Sequence, residues 1–221
     1  VAFGNFQRML ADFPADTLTE TIAGFHDTKA RFAAFEKVVE EDVCGRAAEV
    51  QKEIQFVKDR YDVACVLGDL LEAGELPLRV THNDTKSNNV LMDNATGKGL
   101  CVIDLDTVMP GLAVNDFGDS IRFGASTGTE DEKDLSKISC DMELYDIYTK
   151  GFVEGCSGAL TDMEIECLPI GAKVMTYECG MRFLTDYLSG DTYFKIDYPT
   201  HNLDRTRTQL KLVWEIGERR V

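Results

Sequence analysis

Between Leu78 and Ile103 the sequence changes period, and that change constrains the fold more than any other feature. On the N-terminal side, apolar residues recur at helical spacing through Phe25, Phe32, Phe35, Val38 and Val39, and again through Val50, Ile54 and Val57. Asp27 is the expected cap of the first of these helices and Gly45 the break before the second. Three short β-prone runs then follow, at Leu78 to Thr81, Asn89 to Met92 and Leu100 to Ile103. They are parted by a polar loop and by the turn signal Asp93-Asn94-Ala95-Thr96-Gly97. Beyond Gly128 the helical pattern returns. Thr161-Asp162-Met163-Glu164 matches a capping box and opens an apolar-periodic segment to about Leu188, which Pro169 is expected to kink or restart. A last helix is expected from about Leu203 to Glu218. With no repeat, low-complexity tract or linker, residues 1–221 read as one mainly α unit with a small central β element, an α+β arrangement.

Bulk properties narrow the function. At 44% hydrophobic over 221 residues the chain can bury a sizeable core. Its net charge of −16 disfavours nucleic acid, because a phosphate backbone needs clustered Lys and Arg to displace its counterions. No run approaches the length of a membrane helix, and no basic and apolar leader opens the chain, so a cytoplasmic location without a membrane partner is expected. The first residue is Val1 and the helix-like pattern Phe3, Phe6, Met9, Leu10 has already begun, which suggests a start inside a longer protein. Seven cysteines, an odd number with no C-x-x-C pair and only three histidines beside them, indicate neither a disulfide framework nor a zinc site.

The chemistry concentrates in the middle segment. Residues 81–89 read Thr81-His82-Asn83-Asp84-Thr85-Lys86-Ser87-Asn88-Asn89, an H-x-D-x-K-x-x-N loop between two β-prone runs. Fifteen residues past Asn89, at the end of the next run, stands Val102-Ile103-Asp104-Leu105-Asp106. This is the register of a kinase catalytic loop, in which an Asp accepts the hydroxyl proton while an Asn and a second carboxylate hold Mg²⁺. In-line phosphoryl transfer needs acceptor, phosphate and metal fixed within about 3 Å of their partners, and a rigid loop between strands supplies that. The catalytic candidates are therefore Asp84, to orient the acceptor and take its proton, and Lys86, to neutralise the transferring phosphate. The ATP and Mg²⁺ candidates are Lys86, Asn89 and Asp104, with Asp106 for a second metal. His82 is expected to brace the loop. No H-E-x-x-H or C-x-P-x-R motif points instead to a hydrolase.

His82-Asn83-Asp84 followed by Ile103-Asp104 resembles the aminoglycoside phosphotransferase and choline kinase group. The longer strings, Val102 to Gly111, Asp116 to Gly124, Glu178 to Leu188 and His201 to Arg205, resemble bacterial N-acetylhexosamine 1-kinases. The resemblance implies the C-terminal catalytic lobe of a protein kinase-like fold, with a Gly-rich phosphate loop and its lysine on a preceding N-terminal lobe. It implies transfer of the ATP γ-phosphate to the anomeric hydroxyl of a sugar, the other acceptors of the superfamily being choline, aminoglycosides and homoserine. A non-catalytic, pseudokinase-like module is the alternative, and the intact Asp84, Asn89 and Asp104 weigh against it. For the acceptor the candidates are Asp84, Asp119, Arg122, Glu178, Arg182, Asp186 and Tyr193. Glu178, Arg182 and Asp186 recur at i, i+4, i+8 on one helix face, where an ordinary salt-bridged stripe is the competing reading. Asp116 is expected to brace the catalytic loop.

Overall fold

The computed structural model describes residues 1–218. In chain order its helices are α1 (Ala2–Met9), α2 (Thr28–Glu41), α3 (Gln51–Lys58), α4 (Tyr61–Glu72), α5 (Ala113–Gly124), α6 (Met142–Cys156), α7 (Asp162–Glu166), α8 (Leu168–Leu188) and α9 (His201–Glu218). Between α4 and α5 lie β1 (Arg79–Thr81), β2 (Val90–Met92), β3 (Gly99–Val102) and β4 (Met109–Gly111). The chain is thus mainly helical with a small β element. No helix among the described residues is long and apolar enough to cross a membrane.

Local chemistry sets most boundaries. Asp27 caps α2 by accepting from the Ala30 amide at 2.9 Å, and Gly45 takes the left-handed φ of +67° that ends the turn after that helix. Thr161 and Glu164 form the expected capping box. The segment it opens is two helices, the restart rather than the kink expected at Pro169: α7 stops at Glu166, and Pro169 sits in the first turn of α8, where its missing N–H costs nothing. The β element also differs from expectation. It is two separate antiparallel pairs, β1 with β4 and β2 with β3. Met109-Pro110-Gly111 carries no strand signal, but Pro is tolerated at a sheet edge, and a Cβ on Gly111 would overlap the Thr81 hydroxyl.

The contacts divide the chain into two compact units. One comprises Val1–His26, Leu70–Ala125 and Asp141–Ala172. Its core holds Phe3, Phe6, Val80, Phe117, Tyr145 and Phe152, with the Phe117 and Phe152 rings 5.4 Å apart. Within it α1 lies directly on α6, and a Cβ on Gly4 would overlap the Phe152 carbonyl. The other unit comprises Asp27–Asp69, Ser126–Cys140 and the chain from Lys173 on. Phe35, Val50, Val57, Tyr177, Leu184 and Val213 form its core, where the Tyr177 hydroxyl donates to the Val57 carbonyl at 2.9 Å.

Candidate active site

The loop after β1 has two supports. At its start His82 is fully buried, with the edges of Phe3 and Phe6 against its ring at 5.2 and 5.7 Å. Its Nδ1 accepts from the Asp84 amide at 3.3 Å, so Nε2 carries the proton and donates to the Ile103 carbonyl at 2.9 Å. One imidazole therefore ties Asp84 to the residue before Asp104, a bracing contact of the kind expected of His82. The Ile103 amide in turn donates to the Asn89 carbonyl at 2.9 Å. These three bonds link the segments that carry Asp84, Asn89 and Asp104, although the last two lie fifteen positions apart.

The second support is α5. Asp116 is fully buried, and its carboxylate accepts the His82 and Asn83 amides at 2.9 and 2.8 Å. Burial raises its pKa above the ordinary range, while these bonds and one from Gln7 pull the other way. Asn83 has a left-handed φ of +65°, a conformation open to Asn that the Asp116 bond and a side-chain amide-to-carbonyl bond to Thr107 (2.8 Å) hold in place. Asp119 accepts the Thr85 amide at 2.8 Å through one oxygen and the Arg122 guanidinium at 2.9 Å through the other. Asp119 and Arg122, expected at the acceptor, thus spend these groups on fixing the catalytic loop.

Within the site, Asn89 donates from Nδ2 to both the carbonyl and Oδ2 of Asp84 at 2.8 Å, which fixes its amide with Oδ1 on the opposite side. Lys86 Nζ reaches the same Asp84 Oδ2 at 2.7 Å. Asp104 is exposed and left-handed (φ 63°, ψ 63°), a backbone that Asp tolerates better than most residues with a Cβ, and Asp106, also exposed, follows in the single turn Leu105–Thr107. An amide oxygen and a carboxylate are hard oxygen donors, so Asn89 and Asp104 fit Mg²⁺, which keeps several waters rather than demanding a protein cage. Beside them, Leu91 pairs with Cys101 across β2 and β3, and Leu91 is 49% exposed, an apolar face that spacing alone does not reveal.

The remaining acceptor candidates gather in the other unit. Glu178, 1% exposed, accepts from the Thr28 hydroxyl at 2.5 Å and lies 3.5 Å from the Arg31 guanidinium. Arg182 faces the rings of Tyr193 and Phe194 at 5.8 and 5.5 Å. Burial lowers the Arg31 pKa first, and the like charge of Arg182 lowers it further. Glu178, Arg182 and Tyr193 thus share one polar cluster. Asp186 plays a different part. It accepts the amides of Thr192, Tyr193 and Phe194 at 2.8 to 3.0 Å and the Asn202 amide at 2.8 Å, which shapes the loop that presents Tyr193. Sequence reasoning missed Arg31, because its partner lies 147 residues away and nothing in its helix marks it.

Residues 1–140, which include the whole loop from His82 to Asp106 and its α5 brace, match the model of the phosphotransferase enzyme family APH. The chain belongs to the phosphotransferase enzyme family, a branch of the kinase-like superfamily.

Proposed function

We propose that the protein transfers the γ-phosphate of MgATP to the anomeric hydroxyl of an N-acetylhexosamine, N-acetylglucosamine or N-acetylgalactosamine. The observation that carries the phosphoryl-transfer part is the double tie through His82 and Ile103, which assembles Asp84, Asn89 and Asp104 on a braced loop. In this reading Asp84 takes the proton from O1 as the O1–P bond forms and the bond from the γ-phosphorus to the β-bridging oxygen breaks, releasing ADP. Lys86 offsets charge on the moving phosphoryl group. Asn89 and Asp104 hold Mg²⁺, with Asp106 available to a second ion; the metal, when bound, neutralises charge developing on the phosphate oxygens. The exposed Leu91 and Cys101 face suits the flat apolar surface of the nucleotide base. A preceding lobe supplies the Gly-rich loop and lysine that grip the remaining phosphates.

The acceptor reading rests on charge. Burial first, and then the like charge of Arg182, lower the Arg31 pKa, and Glu178 lies 3.5 Å from Arg31, so a quaternary ammonium would enter as a third cation. The lone tryptophan, Trp214, already has the Lys211 ammonium 4.7 Å from its ring centre. Hydroxyl and acetamido groups instead find donors in Arg182 and Tyr193 and an acceptor in Glu178, and Asp186 fixes the loop carrying Tyr193. A site built to bond hydroxyls rejects a ligand without them, since its own polar atoms are left unpaired. In the full-length protein, choline is then expected to be at least roughly a hundredfold poorer in kcat/KM than the better N-acetylhexosamine. Arg182→Ala raises KM for the sugar far more than for ATP. Initial-rate kinetics with both acceptors, and NMR assignment of the phosphate to O1, decide the matter. Choline as the better substrate, or an unchanged sugar KM in Arg182→Ala, overturns the acceptor assignment.

A further inference from the structure

We infer that Gln7, on α1 and outside every motif of the catalytic segment, is a positioning residue for phosphoryl transfer that acts through Asp116. Gln7 is 3% exposed, and its Nε2 donates to Asp116 Oδ2 at 2.7 Å across a separation of 109 residues. That same oxygen accepts the His82 amide at 2.9 Å, and the other accepts the Asn83 amide at 2.8 Å. The Asp116 carboxylate can therefore take only one orientation, and that orientation sets the two peptide groups immediately before Asp84. Asn83 among them is left-handed, and its partners Asp116 and Thr107 fix which way its peptide faces. The rest of α1 reinforces the contact, since Phe3 and Phe6 meet the His82 ring edge-on. Helix α1 thus grips the loop twice, at the imidazole and at the carboxylate behind it.

A neutral amide is the fitting donor here. Burial works against an ionised Asp116, and each N–H aimed at it favours the charged, doubly accepting form that the two backbone amides require. Two other titratable groups influence this carboxylate or feel it. His82 on the loop carries its proton on Nε2, pointed at Ile103, and Cys156 on α6 has a thiol pushed up to about 11, so it stays neutral at working pH. Neither replaces the Gln7 bond.

The inference rests on the phosphoryl-transfer reading and is independent of which acceptor is used. It is tested in the full-length protein with Gln7→Met, of similar shape but with no donor, and with Gln7→Glu, which sets a second acid against Asp116. For Gln7→Met, kcat is expected to fall roughly ten- to a hundredfold with KM for both substrates within about twofold, because a small misplacement of the loop penalises the reaction more than binding. Its acidic limb in the kcat against pH profile moves to higher pH, since Asp116 has lost a bond that favours its charged form. Gln7→Glu shifts the other limb: the two acids share one proton, and activity is lost at lower pH than in the wild type as that proton leaves. Gln7→Met added to Asp116→Asn lowers kcat no further. Hydrogen exchange of residues 82–85 in the unliganded protein rises in Gln7→Met and judges the positioning even if the sugar assignment fails. An unchanged kcat, an unchanged exchange rate at residues 82–85, or equal losses at every pH with both limbs in place, would overturn the inference.

Discussion

At the scale of single residues, placement is legible wherever spacing alone can carry it. Asp84, Asn89 and Asp104 stand at fixed offsets around short strands, and the folded chain joins them through His82 and Ile103 as that spacing implies. What the sequence hides are partners made by tertiary contact. Gln7 meets Asp116, and Arg31 meets Glu178, across more than a hundred residues each, and no local pattern distinguishes either from a surface side chain. Asp119 and Arg122 invite an acceptor role because they are polar and follow the loop, yet their carboxylate and guanidinium close onto Thr85 and each other. Asp104 offers the sharpest residue-level test. Its left-handed backbone is one that Asn also adopts readily, so Asp104→Asn should keep the fold and remove only the carboxylate charge. Activity titrated with Mg²⁺ is expected to need at least roughly tenfold more metal for half-maximal rate, with thermal stability near that of the wild type. An unchanged Mg²⁺ dependence would remove Asp104 from the metal site.

At the scale of elements, helices with strong caps and regular apolar spacing are foreseeable, as is an interruption marked by Pro169, and a strand without a β-prone run is not. The break at Cys167 follows from α7 being only a single capped turn, after which Pro169 starts α8 afresh; hydropathy runs through both without a gap. Strand β4 is invisible in the sequence because Pro and Gly suppress the usual signal, and only its pairing with β1 reveals it. A pH-dependent staple secures α9 within its unit. Burial works against ionised Glu215, but Lys211, the Ser139 hydroxyl (2.7 Å) and the Cys140 amide (3.0 Å) hold its pKa down to about 2 from an ordinary 4.5. A depressed carboxylate contributes stability that is complete above its unfolded pKa and is lost as pH falls through the folded one, here between about 4.5 and 2. Glu215→Gln should therefore destabilise the protein by on the order of 3 kcal/mol at pH 7, the difference from wild type shrinking as pH drops below 4.5. Urea unfolding at pH 7 and pH 3 measures it; a difference that stays constant with pH would show that Glu215 holds α9 by packing rather than by charge.

For the whole molecule, the sequence conveys the fold class and the reaction class but not the division of contacts into two compact units, because helical periodicity says nothing about which helices pack together. Helices α4 and α8 each contribute residues to both units, so no linker or change of composition marks a boundary. Against a net charge of −16, Lys86 is a cation placed on the loop itself, paired with Asp84. The central claim is that the braced loop is a phosphoryl-transfer centre with Asp84 as the proton acceptor. It is tested most directly by comparing full-length wild type and Asp84→Asn for MgATP-dependent phosphorylation of an N-acetylhexosamine. The expected result is a fall in kcat of about 10² to 10⁴ with Tm within a few degrees, since general-base and positioning effects are of that size and the change is isosteric. Near-normal turnover in Asp84→Asn would contradict it.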